Sequence, residues 1–189
     1  MNFNPFPILE TKRLILRNIM HTDVEDIFVM RSDPNVMQYI PRPLAQNLDD
    51  AMELIETINN FVFKNEKINW ALALKENNKL IGLCGYPNVH EQHNRAEIGY
   101  SLSTEWHRKG YMTEAIKCVL KYGFEQMNLH SVLAIVDEEN IASGGILQSI
   151  GFRKEACFIE DFLYNGIYRN SIHFGLLKKE AAALGLCIE

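Results

Sequence analysis

Ala96-Glu97-Ile98-Gly99-Tyr100-Ser101-Leu102 alternates in polarity, and after three residues Trp106-His107-Arg108-Lys109-Gly110-Tyr111-Met112-Thr113-Glu114-Ala115 follows it. In the first stretch Ala96, Ile98, Tyr100 and Leu102 share one side. Glu97, Gly99, Ser101 and Ser103 share the other, which is the period of a strand. From Met112 the period lengthens. Met112, Ala115, Ile116, Val119, Leu120, Gly123 and Met127 fall on one helical face, with Glu114, Lys117, Lys121 and Glu125 opposite. The chain therefore leaves a strand near Leu102, crosses a short loop and enters a helix near Gly110. A helix N-terminus presents unpaired N–H groups and the positive end of a dipole, and phosphates bind there. Gly110 has no Cβ to hold an anion off the backbone. Arg108 and Lys109 add positive charge, and Thr113 adds a hydroxyl in the first turn. The same residues also suit a solvated basic loop with Gly110 at its turn, and the loop alone does not choose between the two.

Upstream, Arg13-Leu14-Ile15-Leu16-Arg17 is expected as a first strand. Residues 22–32 follow as a helix capped at Thr22 or Asp23 and stopped near Pro34. Met37 to Leu48, with Pro41 and Pro43, is expected as a loop. Asp49 to Lys64 follows as a helix with Met52, Ile55, Ile58 and Val62 on one face. Trp70 to Leu74 and Leu80 to Tyr86 form a hairpin about Lys75-Glu76-Asn77-Asn78, and His90 to Asn94 is a polar turn. Downstream, Ser131 to Val136 is a continuous apolar run, expected to be covered on both sides. Asn140 to Ile150 is a short helix ended by Gly151. Strands near Phe152 to Ile159 and Tyr168 to Leu177 are joined at Asn165-Gly166, and Glu180 to Glu189 is a loose helix. The order β-α-α-β-β-β-α-β-α-β-β predicts an α/β fold with a mixed sheet and helices on its faces.

With 189 residues, 47% hydrophobic and 23% charged, the chain suits one globular domain. A net charge of −5 argues against nucleic acid as a partner, because phosphate backbones are bound by clustered Lys and Arg. The four cysteines, Cys84, Cys118, Cys157 and Cys187, form no CxxC pair, so a reduced cytoplasmic setting without disulfides or zinc is expected. Met1-Asn2-Phe3-Asn4-Pro5 lacks the pattern of a signal peptide. No apolar run approaches the roughly 20 residues of a membrane span, so no membrane partner is expected.

The stretch from Glu97 to Leu102 with Trp106 to Ala115 closely resembles the coenzyme A motif of the GCN5-related N-acetyltransferases (GNAT). Three further segments resemble the RimJ/RimL-like branch that acetylates ribosomal-protein N-termini. They are Thr11 to Arg17, Leu80-Ile81-Gly82, and Asn140-Ile141-Ala142-Ser143 continuing to Ile150-Gly151-Phe152. The resemblance implies a single GNAT-like domain at 9–178 with a tail at 179–189. Its sheet would be mixed and largely antiparallel, with helices on both faces. It implies an acyltransferase that uses acetyl-CoA as cosubstrate, needs no metal, and transfers the acetyl group directly to a primary amine, for example a protein N-terminus. A small-amine acetyltransferase (polyamine or aminoglycoside) and a non-catalytic coenzyme A-binding module are the rivals. The family signature is matched strictly only at Gly110, since His107 and Met112 occupy its outer places. Met112 must therefore point away from the phosphates, as its place on the apolar face predicts.

By the same resemblance, backbone groups of Tyr100, Ser101 and Leu102 hold the pantetheine arm where a strand splays from its neighbour. Arg108, Lys109, Gly110, Tyr111, Met112 and Thr113 hold the pyrophosphate, and Asn140 touches the pantetheine or acetyl region. Amine attack on a thioester is helped by a base, an acid and an oxyanion donor. Direct transfer asks for no protein nucleophile, which leaves Cys84 and Cys118 structural. One branch of the family places a glutamate five residues before the motif asparagine and a tyrosine seven after it. Here those positions are Ile135 and Leu147, so that machinery does not carry over. The ribosomal-protein branch has a serine at the position of Ser143 and a carboxylate best matched by Asp161, with Glu160 adjacent. Glu97, on the strand leading to the cofactor, is the other candidate base. Each has a structural alternative: Ser143 as a helix-cap residue, Asp161 as a turn acid, Glu97 in a cross-strand pair. His107 is expected at the surface and His173 against a neighbouring strand, while His90 and His93 lack a third metal-ligating partner. Trp70, Tyr86 and Phe162 are expected as core or as walls of the acceptor path. An exposed final strand would suit a dimer, so monomer and homodimer both remain open.

Overall fold

The computed structural model describes residues 1–188. Its strands are β1 (Leu9–Glu10), β2 (Leu14–Arg17), β3 (Ile68–Leu74), β4 (Leu80–His90), β5 (Arg95–Leu102), β6 (Ser131–Asp137), β7 (Arg153–Tyr164) and β8 (Ile167–Leu177). They form one eight-stranded sheet in the order β1-β2-β3-β4-β5-β6-β8-β7. Only β5 and β6 pair in parallel, so the sheet is mixed and largely antiparallel, as the sequence predicts. The helices are α1 (Val24–Ser32), α2 (Pro34–Met37), α3 (Leu48–Phe63), α4 (Tyr111–Glu125), α5 (Ile141–Ile150) and α6 (Lys178–Ala183).

Alternation along β3 distributes its residues between two cores. Trp70, Leu72 and Leu74 join Ile116, Val119, Leu120 and Phe124 of α4 in the larger cluster. Ala71 joins Ile27 and Met30 of α1 and Ala51 and Ile55 of α3 in the smaller one on the other face. Trp70 and Tyr86 are fully buried core residues, their polar atoms satisfied by the carbonyls of Pro7 and Val119 at 2.7 and 3.0 Å. The tight turn Asn165-Gly166 has φ of 50° and 77°, which glycine and asparagine tolerate best and a two-residue hairpin requires.

The structure corrects several expectations. α1 ends at Ser32, the stop near Pro34 that the sequence predicts, but Pro34 has a second role. It opens α2, with Asp33 as the cap whose Oδ1 accepts from the Asn35 N–H at 2.8 Å, a place where proline's missing donor costs nothing. The β4 strand continues through Pro87, which sits in the register shift between Gly85 and Asn88, where a ladder donor is not needed. The apolar β6 run is not covered on both sides, because Ile135 is 44% exposed. The final strand β8 is interior, between β6 and β7, and β7 is the exposed edge. In place of a loose helix over Glu180 to Glu189, α6 spans Lys178–Ala183; Ala181 is buried, and Leu186 and Cys187 pack against the larger core. The expected tail ends on Glu189, which lies outside the described residues. No helix among the described residues is long and apolar enough to cross a membrane.

Candidate active site

β5 runs to Leu102 and β6 to Asp137, but their pairing ends at Glu97↔Leu133. Beyond that pair the strands diverge, and the β6-facing backbone of Ile98 to Leu102 has no strand partner. This is the splay that the family resemblance implies, and the exposure of Ile135 accompanies it. A cavity of about 960 Å³ opens there, lined by β5, the loop after it, the N-terminal part of α5, and the α1–α3 face. That volume lies in the range of small-molecule and cofactor sites. One of the expected backbone groups is already engaged, since the Leu102 carbonyl lies 2.9 Å from Nε2 of the exposed His107.

The loop ahead of α4 is held by Arg13. Its backbone N–H and Nε donate to Glu114 at 2.8 Å each, and its Nη1 donates to the Lys109 carbonyl at 2.9 Å. Its guanidinium lies 4.0 Å over the Tyr111 ring. Burial alone would raise the Glu114 pKa, but hydrogen bonds from Thr11 and Arg13 overcome it and hold the carboxyl below its usual value. Arg108 and Gly110 have φ of 57° and 80°, while Lys109 between them does not. Such alternation turns successive N–H groups toward one concavity, an anion-binding nest. Arg108, Gly110, Tyr111, Met112 and Thr113 line the cavity. Met112 packs into the core at 5% exposure, so its side chain stays clear of the nest. Lys109 is not part of the lining, and its ammonium sits 4.8 Å over the Trp106 ring.

Across the splay, Asn140 caps α5, its Oδ1 accepting from the Ser143 N–H at 3.1 Å. Ser143 Oγ lies 2.6 Å from the Tyr100 hydroxyl. Burial pushes the Tyr100 pKa up to about 12, against a smaller lowering by its bond to Ser143. The phenol therefore keeps its proton around neutrality and can donate to Ser143, leaving the serine proton free to turn toward the cavity. Tyr100, Ser101, Asn140 and Ser143 all line that cavity. Sequence reasoning assigned Tyr100 only a backbone role. Its hydroxyl contact spans 43 residues of chain and left no local signal.

Glu97 lines the cavity from the opposite side of β5 and makes no ion pair among the described residues. Its Oε2 accepts from Asn88 Nδ2 at 2.8 Å. Asp161 lies elsewhere. It belongs to β7, is exposed, accepts from the buried Ser171 hydroxyl at 2.6 Å, and is not part of the cavity lining. Glu160 beside it adopts φ 52° in the register shift between Phe158 and Phe162. His173 lies against Phe158 of the neighbouring strand, their ring centroids 4.6 Å apart and the planes tilted by 55°, the strand-neighbour role expected of it. Phe162 is half-buried in β7, outside the cavity lining.

Three hydroxyl contacts draw the α1–α2 segment over the cavity. Thr104 donates to Asp33 at 3.0 Å, Tyr39 to the Glu139 carbonyl at 3.2 Å, and Tyr164 to the Arg42 carbonyl at 2.7 Å. They bring Arg31 and Arg42 to the cavity wall, where Lys67 of the α3–β3 connection also lies.

A family model described as the acetyltransferase (GNAT) domain matches residues 13–153. This chain belongs to the GNAT acetyltransferases. The N-acetyltransferase YoaA of Bacillus subtilis is 34% identical over 173 residues, 92% of this chain and 98% of that one. A GNAT-family acetyltransferase from Bacillus anthracis superposes with a TM-score of 0.83 at 26% identity, covering 92% of this chain and 100% of that structure. A spermidine N-acetyltransferase from Vibrio cholerae, solved with coenzyme A and spermine, does so with a TM-score of 0.78 at 26% identity, covering 88% and 96%. The GNAT chain described here is an acetyl-CoA-dependent N-acetyltransferase. Its own residues fit that cosubstrate: an unpaired strand edge suits an arm with two amides, and a nest beside Arg108 suits a pyrophosphate.

Proposed function

We propose that this GNAT enzyme acetylates the α-amine of a peptide or protein N-terminus by direct transfer within a ternary complex. Acetyl-CoA supplies an activated acyl carbon and a thiolate leaving group. The free backbone groups of β5 at Tyr100 to Leu102 pair with the pantetheine amides, and Asn140, on the cavity wall, offers its Nδ2 donors to the same arm. The Arg108–Thr113 turn holds the pyrophosphate with backbone N–H groups and the Arg108 charge. Glu97 takes the proton of the incoming amine, through a water where the distance requires one. A free N–H of the splayed strand faces the charge that develops on the acyl oxygen. Ser143, oriented by the Tyr100 hydroxyl, hydrogen-bonds the departing sulfur. It relays to the sulfur the second proton, which the acylated nitrogen loses as the C–S bond breaks, so the serine ends protonated and coenzyme A leaves as the thiol. Base and acid thus stand on opposite sides of β5, and Asp161 serves as the partner of Ser171 rather than as the base. Transfer at such a site needs no cysteine, and burial pushes the Cys84 thiol far above its ordinary pKa.

One observation carries the choice of acceptor. The acceptor wall bears Arg31, Arg42 and Lys67, while the lining carboxylates are Glu97 and Asp137. Asp137 is already paired with Arg169 at 3.2 Å, which leaves only Glu97 without a cation. A polyamine or aminoglycoside carries several positive charges, and this wall repels all but the one next to Glu97. A peptide N-terminus carries a single amine and backbone partners, and the motifs shared with the ribosomal-protein branch point the same way. The similarity to a spermidine N-acetyltransferase supports a polyamine as the second reading.

A competition assay separates the two. With acetyl-CoA and an equimolar mixture of an N-terminally free peptide, the same peptide with only its lysine ε-amine free, and spermidine, mass spectrometry should find the acetyl group on the peptide α-amine. Preferential acetylation of spermidine would select the second reading.

A further inference from the structure

Four of the eight arginines are ion-paired with carboxylates: Arg13, Arg17, Arg153 and Arg169. Of the remainder, Arg31, Arg42 and Arg108 line the cavity. Arg108 belongs to the anion-binding nest. Arg31 and Arg42 lie on the acceptor wall, far along the chain from that nest, and no carboxylate answers them among the described residues.

Arg31 is half-buried at the C-terminal end of α1. The helix dipole favours a cation there but supplies no counter-ion. Its Nη1 contacts only Met37 Sδ at 3.1 Å, and its Nη2 reaches the Pro43 carbonyl at 3.5 Å, both weak partners for a guanidinium. The Pro41-Arg42-Pro43 turn folds back on α1, with the Ala45 N–H donating to the Arg31 carbonyl at 3.0 Å and Tyr164 holding the Arg42 carbonyl. The exposed Arg42 thereby shares the cavity wall with Arg31, near enough for its charge to act on it. Burial first, and then the charge of Arg42, lower the Arg31 pKa. Two like charges held together beside a cavity, one partly desolvated, form a site that an anion relieves.

We propose that the acceptor carries a carboxylate near its reacting amine and that Arg31 and Arg42 receive it. This rests on the N-terminal reading of the acceptor and narrows it to N-termini followed closely by Asp or Glu. The planar forks of two arginines match a carboxylate by bidentate hydrogen bonding. Glu97 attracts the amine while the arginines attract the acid, so the wall orients a substrate with the two charges at its two ends.

The test uses the full-length enzyme with paired peptide amides that differ only in Glu or Gln at the second and third residues, together with free glutamate, glutamine and spermidine as amines. Each pair competes in one reaction, so the product ratio does not depend on the folded fraction of a variant. The wild type should prefer the acidic peptide about tenfold or more. The preference should shrink toward unity in Arg31→Gln and in Arg42→Gln, persist in part in Arg31→Lys, and reverse in Arg42→Glu. Equal use of acidic and neutral peptides by the wild type, or a preference unchanged in Arg31→Gln and Arg42→Gln, would overturn the proposal. If peptides fail while free glutamate is acetylated over glutamine with the same arginine dependence, the carboxylate site stands and the N-terminal reading falls. Acetylation of spermidine alone would overturn both.

Discussion

Glu97→Gln should lower kcat about a hundredfold or more at neutral pH while leaving the dissociation constant for acetyl-CoA nearly unchanged. The size follows from the usual value of a positioned general base, roughly 10²–10⁴ in rate. The amide replacement keeps an oxygen for the Asn88 Nδ2 hydrogen bond, so the β4–β5 register should survive. The deficit should also depend on pH in one direction. A primary amine is mostly protonated at neutrality and becomes neutral by itself as pH rises. The base is then less needed, and the ratio of wild-type to variant kcat should shrink toward high pH. Tyr100 does not obscure this trend at moderately alkaline pH, because burial keeps its phenol protonated to about pH 12. A deficit of equal size at every pH would mean that Glu97 acts through its negative charge rather than as a proton acceptor, and the base would have to be sought elsewhere.

Asp23→Ala should destabilise the fold by about 3–5 kcal/mol, the usual result of leaving one partner of a buried ion pair alone. Asp23 and Arg17 are 4% and 8% exposed and pair in bidentate fashion at 2.8 Å through both carboxylate oxygens. The same carboxylate also accepts from the Met20 N–H at 2.7 Å, closing the turn between β2 and α1. For a chain of this length the loss corresponds to a fall in Tm of about 10 °C, measurable by calorimetry. Replacing both partners with apolar residues should recover part of it, since the charge left behind accounts for most of the cost. The recovery should be incomplete, because Arg17 also donates to the Asn78 side chain and carbonyl at 2.9 and 3.2 Å. A loss below about 1 kcal/mol for Asp23→Ala would show that water reaches this pair.

The sheet and its cavity-facing strand β5 were legible in the sequence because their information is local. The change from period two to helical period at Leu102–Met112 marks where a strand meets a helix N-terminus, and that junction is the nest. The splay itself was expected only through the family resemblance, because the residue at which two strands part is set by their distant pairing, Glu97 with Leu133. The basic wall of the cavity was illegible for the same reason. Arg31 and Arg42 gain meaning only when a turn rich in proline folds back on α1 and a tyrosine 122 residues away pins it. Pro34 marks the end of α1, but proline both ends helices and begins them, and α2 was illegible because only the Asp33 cap distinguishes the cases. Asp161 was matched to a position before a turn, whereas the hairpin extends further and places it on an exposed edge strand, hydrogen-bonded to Ser171. Ser143 and Glu97 both reach the cavity because each lies next to a segment whose position the local pattern fixes.

The central claim is that acetyl-CoA lies along the unpaired edge of β5 with its pyrophosphate in the Arg108–Thr113 nest. Hydrogen–deuterium exchange of the intact protein with and without saturating acetyl-CoA tests this most directly. The account predicts slower exchange of the amides at Gly99–Leu102 and Arg108–Thr113, with the hairpin tip at Leu163–Tyr168 unchanged. Binding of acetyl-CoA without protection of either segment would contradict it.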